Sequence, residues 1–68
     1  MTPHVRLRVM AREAYGSIGA LARHIDEPGL VRLSERMLMP SRETAEKIER
    51  ASLRWMGGAT IRVEDWGK

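Results

Sequence analysis

The stretch of sequence that decides the fold covers residues 14–51 and begins Ala14-Tyr15-Gly16-Ser17-Ile18-Gly19-Ala20-Leu21-Ala22-Arg23-His24-Ile25. From Ile18 onwards its apolar residues fall at positions i, i+3, i+4 and i+7, which places them in one stripe along a helix. Gly16 suits the left-handed conformation that ends a preceding helix, and Ser17 is a preferred N-cap residue. The pattern therefore predicts a helix that begins after Ser17.

A turn follows at Asp26-Glu27-Pro28-Gly29. Asp tolerates left-handed φ angles, and Pro28 disfavours helical geometry at the residue before it while suiting the first turn of a new helix. The next helix is predicted over Gly29–Leu38, because Pro40 stops it soon afterwards. The residues that should face the core are Leu30, Leu33, Ser34 and Met37.

Another helix is expected after Ser41, a second favoured N-cap residue. Its inward stripe consists of Ala45, Ile48, Ala51 or Ser52, and Trp55. Gly57-Gly58 breaks the helical pattern, and Thr60–Val63 then has the composition of a short strand.

The first residues allow two interpretations. Val5–Val9 alternates apolar and basic residues, as a strand does. Thr2-Pro3, however, is a typical cap and first-turn pair, and the apolar residues from Leu7 to Ala14 also recur at helical spacing. We favour a helix from about Pro3 to Tyr15, with the strand as the alternative.

Together these segments predict an all-α fold, a small helix-turn-helix bundle of about four helices. Residues 1–56 form the domain, and residues 57–68 form a short β-like C-terminal tail. Trp66 packs either on its own domain or on a second copy. Because so short a chain has a thin margin of stability, we expect a homodimer. The small core has little room for the apolar residues of the tail, so the predicted dimer contacts are Trp55, Ile61, Val63 and Trp66.

Composition limits the possible functions. The chain has 68 residues and no cysteine, hence no disulfide framework and no thiolate metal site. It shows neither a signal peptide nor an apolar run of about 18 residues, so we expect a cytoplasmic protein without a membrane partner. The net charge is +3 and the pI is about 10.2, which is one feature of nucleic-acid-binding domains.

No pattern in the chain indicates catalysis. His4 and His24 are the only histidines, and neither has carboxylates at metal-ligand spacing. The glutamates at positions 43, 46 and 49 are explained by basic neighbours, with Glu43–Lys47 and Glu46–Arg50 as expected i,i+4 pairs. We therefore expect no enzyme, no catalytic residue, no metal and no cofactor.

Two blocks of the chain carry a family resemblance. The first is Leu7…Met10…Ala14-Tyr15-Gly16…Ala20-Leu21-Ala22-Arg23…Ile25, and the second is Pro40-Ser41…Glu43-Thr44-Ala45…Ile48-Glu49-Arg50-Ala51…Gly57-Gly58-Ala59…Val63-Glu64-Asp65-Trp66. Both resemble small phage and prophage repressors of the Cro/cI superfamily, and in particular YdaS-like Cro-type regulators. The segment between the blocks differs from the family pattern, since Asp26 and Glu27 replace a glycine and an apolar residue.

The resemblance implies a lambda-repressor-like fold and sequence-specific binding of double-stranded DNA as a small transcriptional repressor. Gly29–Leu38 would be the recognition helix in the major groove. Its expected base contacts are Arg32, Glu35 and Arg36, because guanidinium and carboxylate groups match the hydrogen-bonding edges of guanine and cytosine. The expected phosphate contacts are Ser17, Arg23, His24, Ser41 and Arg42. Two copies would bind a pseudo-palindromic operator.

A second function stays open. Met37, Leu38, Met39 and Met56 form a flexible apolar set around the Pro40 turn. Such residues either fill a core or form an adaptable binding surface. In the second case the chain is a repurposed helix-turn-helix that binds a protein, as an antirepressor, antitoxin or phage anti-defence factor does.

Overall fold

The computed structural model describes residues 2–58 and 60–67, and within these it contains only helices and turns. The helices are α1 (Pro3–Met10), a π-helical segment (Ala11–Tyr15), α2 (Ile18–His24), α3 (Leu30–Arg36), α4 (Arg42–Ser52) and a final 3-10 turn (Val63–Gly67). The predicted all-α class and the four helices are therefore confirmed.

The first segment is a helix and not a strand. The side-chain oxygen of Thr2 accepts a hydrogen bond from the Val5 amide at 3.3 Å, and Pro3 opens the helix as predicted. Leu7 and Met10 are completely buried, because helical spacing turns both toward the core. The π-helical segment continues α1 and is capped by Gly16, whose φ is positive as expected (+96°), although its ψ of −34° lies outside the left-handed helical region.

Helix α2 follows its sequence pattern closely. The Ser17 hydroxyl accepts from the Ala20 amide at 3.0 Å, which confirms the predicted N-cap. Leu21 and Ala22 are buried. Beyond the helix, Asp26 has a φ of +57°, the left-handed turn conformation predicted for it.

Helix α3 is shorter than predicted at both ends. It begins at Leu30 with Gly29 as its N-cap, so Pro28 lies outside the helix. It ends at Arg36 because Met37 takes left-handed angles (φ 53°, ψ 44°), and the Leu38 amide then donates to the Leu33 carbonyl at 2.9 Å. The inward position predicted for Met37 is wrong, since the left-handed turn carries it off the helical stripe and leaves it 54% exposed.

Helix α4 has the predicted cap and core face. The Ser41 hydroxyl accepts from the Thr44 amide at 3.2 Å. The buried residues of α4 are Ala45, Ile48, Ala51 and Ser52. Its ion pairs differ from those expected: Lys47 contacts Glu27 at 3.2 Å, and Glu46 contacts Arg42 at 3.7 Å.

The tail does not form a strand. Its largest apolar side chains are buried, so they do not present an apolar surface to solvent. Ile61 and Trp66 are 0% and 4% exposed and belong to the chain's own core, as does Trp55, while Val63 packs on it half-buried. The Ile61 amide donates to the Ser52 hydroxyl at 3.0 Å, so the tail pairs with α4 and not with another strand. The prediction of a β-like tail is wrong. The premise of the predicted dimer contacts, that the core lacks room for these side chains, is wrong as well, because three of the four are buried in the chain's own core.

Candidate nucleic-acid interface

The outward face of α3 brings together the three residues predicted to contact bases. Arg32, Glu35 and Arg36 line one concave surface of about 630 Å³, next to Val31 and the Pro28-Gly29 turn. All three are exposed. None forms an ion pair within the described part of the chain. Their charged groups are therefore available to a ligand.

The opposite face of α3 is anchored by the core and by α1. Leu30, Leu33 and Ser34 are buried. Arg8 of α1 donates from Nε to the Ser34 hydroxyl at 3.1 Å and from Nη2 to the Ser34 carbonyl at 3.0 Å. These contacts hold the second half of α3 at a defined position relative to α1.

A second contact from α1 holds the chain just after α3. His4 is 7% exposed, and its Nε2 lies 2.8 Å from the Leu38 carbonyl oxygen. Since a carbonyl only accepts, His4 is the donor. In the sequence, only the spacing of four residues indicates that His4 and Arg8 lie on the same face of α1. That this face lies against α3 is visible only in the structure.

Basic side chains flank α3 on both sides. Arg12 and Ser17 line a groove of about 690 Å³ that also contains Arg8, Glu13 and Glu35. On the other side, Arg23 lines a groove of about 400 Å³ with Asp26, Pro28 and Val31. The structure thus places the predicted residues Ser17 and Arg23 beside α3, and it adds Arg12, which the sequence did not single out.

The other predicted phosphate contacts lie away from these grooves. Ser41 caps α4, and Arg42 is mostly exposed and close to Glu46. His24 lies against Tyr15, with ring centroids 4.9 Å apart, in a separate pocket with Arg50. None of the three lines a groove described above for α3.

Glu27, in the turn before α3, makes two polar contacts to α4. Its carboxylate accepts a hydrogen bond from the Thr44 hydroxyl at 3.1 Å and pairs with Lys47 at 3.2 Å. An apolar residue at this position would have no such partners on α4. The turn is therefore attached to α4 by polar contacts.

Neither a metal site nor a membrane-spanning helix is found in residues 2–58 and 60–67. No three His, Asp or Glu side chains there converge to hold a metal ion. No helix has the length and apolar character needed to cross a bilayer.

Comparisons of the chain with family models, curated proteins and solved structures returned no match. The likeness to Cro-type regulators thus remains a prediction from the residues that carry it.

Proposed function

We propose that this chain is a sequence-specific double-stranded-DNA-binding regulator of the Cro type, with α3 as its recognition helix. The observation that carries the proposal is the outward face of α3. Arg32, Glu35 and Arg36 stand there without ion-pair partners in the described chain, on a helix whose opposite face is fixed by buried residues and by Arg8.

The geometry of α3 suits a major groove. An α-helix with its side chains is about 10 to 12 Å in diameter, which fits the groove width of about 12 Å, and the seven residues of α3 extend over only roughly 10 Å along its axis. Paired guanidinium donors match O6 and N7 of guanine, and the Glu35 carboxylate matches the amino group of cytosine. Each half-site would therefore be short, and two copies would give a pseudo-palindromic operator with half-sites about one helical turn apart.

Arg12 and Arg23 would supply affinity without sequence preference. They lie on either side of α3. Contacts from such residues to phosphates release counterions, so binding should weaken as salt concentration rises. The basic pI of about 10.2 agrees with this role.

The test starts with a selection from a random duplex library, followed by anisotropy titrations of the enriched sequence at several salt concentrations. Arg32→Ala should lose about 5- to 100-fold in affinity for that sequence and little for random duplex. Arg62→Ala, which removes the same charge from an exposed position in the tail, is the matched control. Absence of duplex binding at low salt would reject the proposal.

A protein-binding role is the second candidate, and one observation favours it. Met37, Leu38 and Met39 are consecutive and are 54%, 45% and 61% exposed, so none of them serves to fill the core. Methionine-rich surfaces adapt readily to different partners. A chain that binds no duplex at low salt, while Met39→Ser changes no folding property, would make this the preferred function.

A further inference from the structure

A pocket unrelated to the α3 grooves lies between the end of α2 and the second half of α4. Its volume is about 310 Å³. The pocket is lined on one side by Tyr15 and His24 and on the other by Lys47, Arg50, Ala51 and Arg54. No acidic residue lines it, and it shares no lining residue with the concave surface of α3.

The pocket contains two arginines whose charge is not neutralised within the described chain. Arg50 and Arg54 are exposed and form no ion pair there. The sequence pattern suggested Glu46 as the partner of Arg50, but Glu46 contacts Arg42. Lys47 is already paired with Glu27 at 3.2 Å. The pocket therefore concentrates uncompensated positive charge.

The wall opposite these arginines is held in place. The Tyr15 hydroxyl donates to the Ala51 carbonyl at 2.8 Å, which ties the π-helical segment to α4. The His24 ring lies against Tyr15 at a tilt of 50°. A ligand in the pocket would thus meet an aromatic wall held by hydrogen bonding on one side and the exposed guanidinium groups of Arg50 and Arg54 on the other.

From this arrangement we infer that the pocket binds a phosphate group. Arg50 and Arg54 donate paired hydrogen bonds to its oxygens, as guanidinium groups do with oxyanions, and His24 supplies a further ring N–H. The phosphate belongs either to a free phosphorylated small molecule or to a DNA backbone. The inference does not depend on α3 binding DNA.

The test is an NMR titration of ¹⁵N-labelled full-length protein with pyrophosphate, at constant ionic strength set with chloride. We expect saturable shifts at the Nε–H groups of Arg50 and Arg54 and at the Tyr15 amide. The double variant Arg50→Gln/Arg54→Gln should weaken binding at least about tenfold. The variant Arg32→Gln/Arg36→Gln removes the same charge from the exposed face of α3 and should leave the affinity for pyrophosphate unchanged.

Three results would overturn the inference. Shifts that do not saturate, or that are equal at all exposed arginines, would indicate only non-specific attraction. Equal weakening in both double variants would mean that net charge decides binding. Tighter binding of a short glutamate peptide than of pyrophosphate would assign the pocket to an acidic protein segment. Circular dichroism melts of both variants verify that they fold.

Duplex titrations then identify the source of the phosphate. If Arg50→Gln/Arg54→Gln also weakens duplex binding and lowers the salt slope by about 1 to 2, the pocket takes a DNA backbone phosphate. If duplex binding is unchanged while pyrophosphate binding is lost, the ligand is a free phosphorylated compound. Failure of all duplex binding would reject the function proposed for α3 and leave the pyrophosphate result intact.

Discussion

Glu27 shows how a single side chain attaches a turn to a distant helix. Its carboxylate is partly buried and accepts from both Thr44 and Lys47 of α4. Glu43, in the first turn of α4, is by contrast exposed and has no ion-pair partner in the described chain. These two glutamates are of the same type, and only their surroundings distinguish them.

Replacing Glu27 should therefore destabilise the fold, whereas replacing Glu43 should not. We expect Glu27→Ala to lower the free energy of unfolding by about 1 to 2 kcal/mol, because two partly buried donors lose their acceptor. Glu43→Ala should change it by less than about 0.5 kcal/mol. Urea denaturation measures both, and equal effects would show that the contacts of Glu27 contribute nothing.

Gly58 lies where the structure leaves no space for a side chain. It is exposed, yet a Cβ atom there would lie 2.5 Å from the Trp55 ring. That ring is held by a 2.7 Å hydrogen bond from its Nε1 to Glu13. The tail thus passes directly over Trp55, and a side chain at position 58 would force one of them to move.

Gly58→Ala should consequently lower the free energy of unfolding by about 1 to 3 kcal/mol through overpacking. Gly67→Ala is the control, since an added Cβ there meets nothing within 4 Å. Thermal melts of the two variants provide the comparison. A Gly58→Ala melt that matches the wild type would mean that Trp55 has room to shift.

At the level of elements, α1 helps to hold α3 in place. Its hydrogen bonds to α3 come from Arg8, which donates twice to the buried Ser34. Arg12 lies one turn further along and has no ion pair in the described chain. The two arginines thus have different expected roles, the first in positioning α3 and the second in contacting phosphate.

These roles predict opposite patterns of effect. Arg8→Lys retains the charge but loses the paired donors, so it should lower the free energy of unfolding by about 1 kcal/mol and increase hydrogen exchange in α3. Arg12→Lys should change neither. If exchange in α3 responds identically to both substitutions, Arg8 does not position the helix.

For the whole molecule, the tail completes the core. Ile61 is fully buried and is held by the hydrogen bond of its amide to Ser52. Arg6 of α1 donates to the Thr60 carbonyl at 2.7 Å and pairs with Asp65 at 3.3 Å. Contacts from both α1 and α4 therefore attach the tail to the rest of the chain.

Ile61→Ala should accordingly destabilise the entire domain. We expect a loss of about 2 to 4 kcal/mol, which is a large fraction of the stability of a chain this small. Arg62→Ala, at the exposed neighbouring position, should have little effect. Urea denaturation followed at both tryptophans should show one common transition, and an earlier transition for one probe would mean that the tail unfolds separately.

The sequence by itself determined the elements whose signals are local. Ser17 and Ser41 cap their helices, and Gly16 and Asp26 take positive φ angles, because residues a few positions apart decide these conformations. The all-α class follows from helical spacing for the same reason, since a helix shows its buried stripe within two turns.

Only the tertiary structure decided what depends on residues far apart in the chain. The pairing of Glu27 with Lys47 and the burial of Trp66 both involve partners that no local pattern specifies. The same holds for the proposed sites. The arginines of α3 and α4 are visible in the sequence, but whether each has an acidic partner depends on which side chains the fold brings within about 4 Å, where ion pairs form.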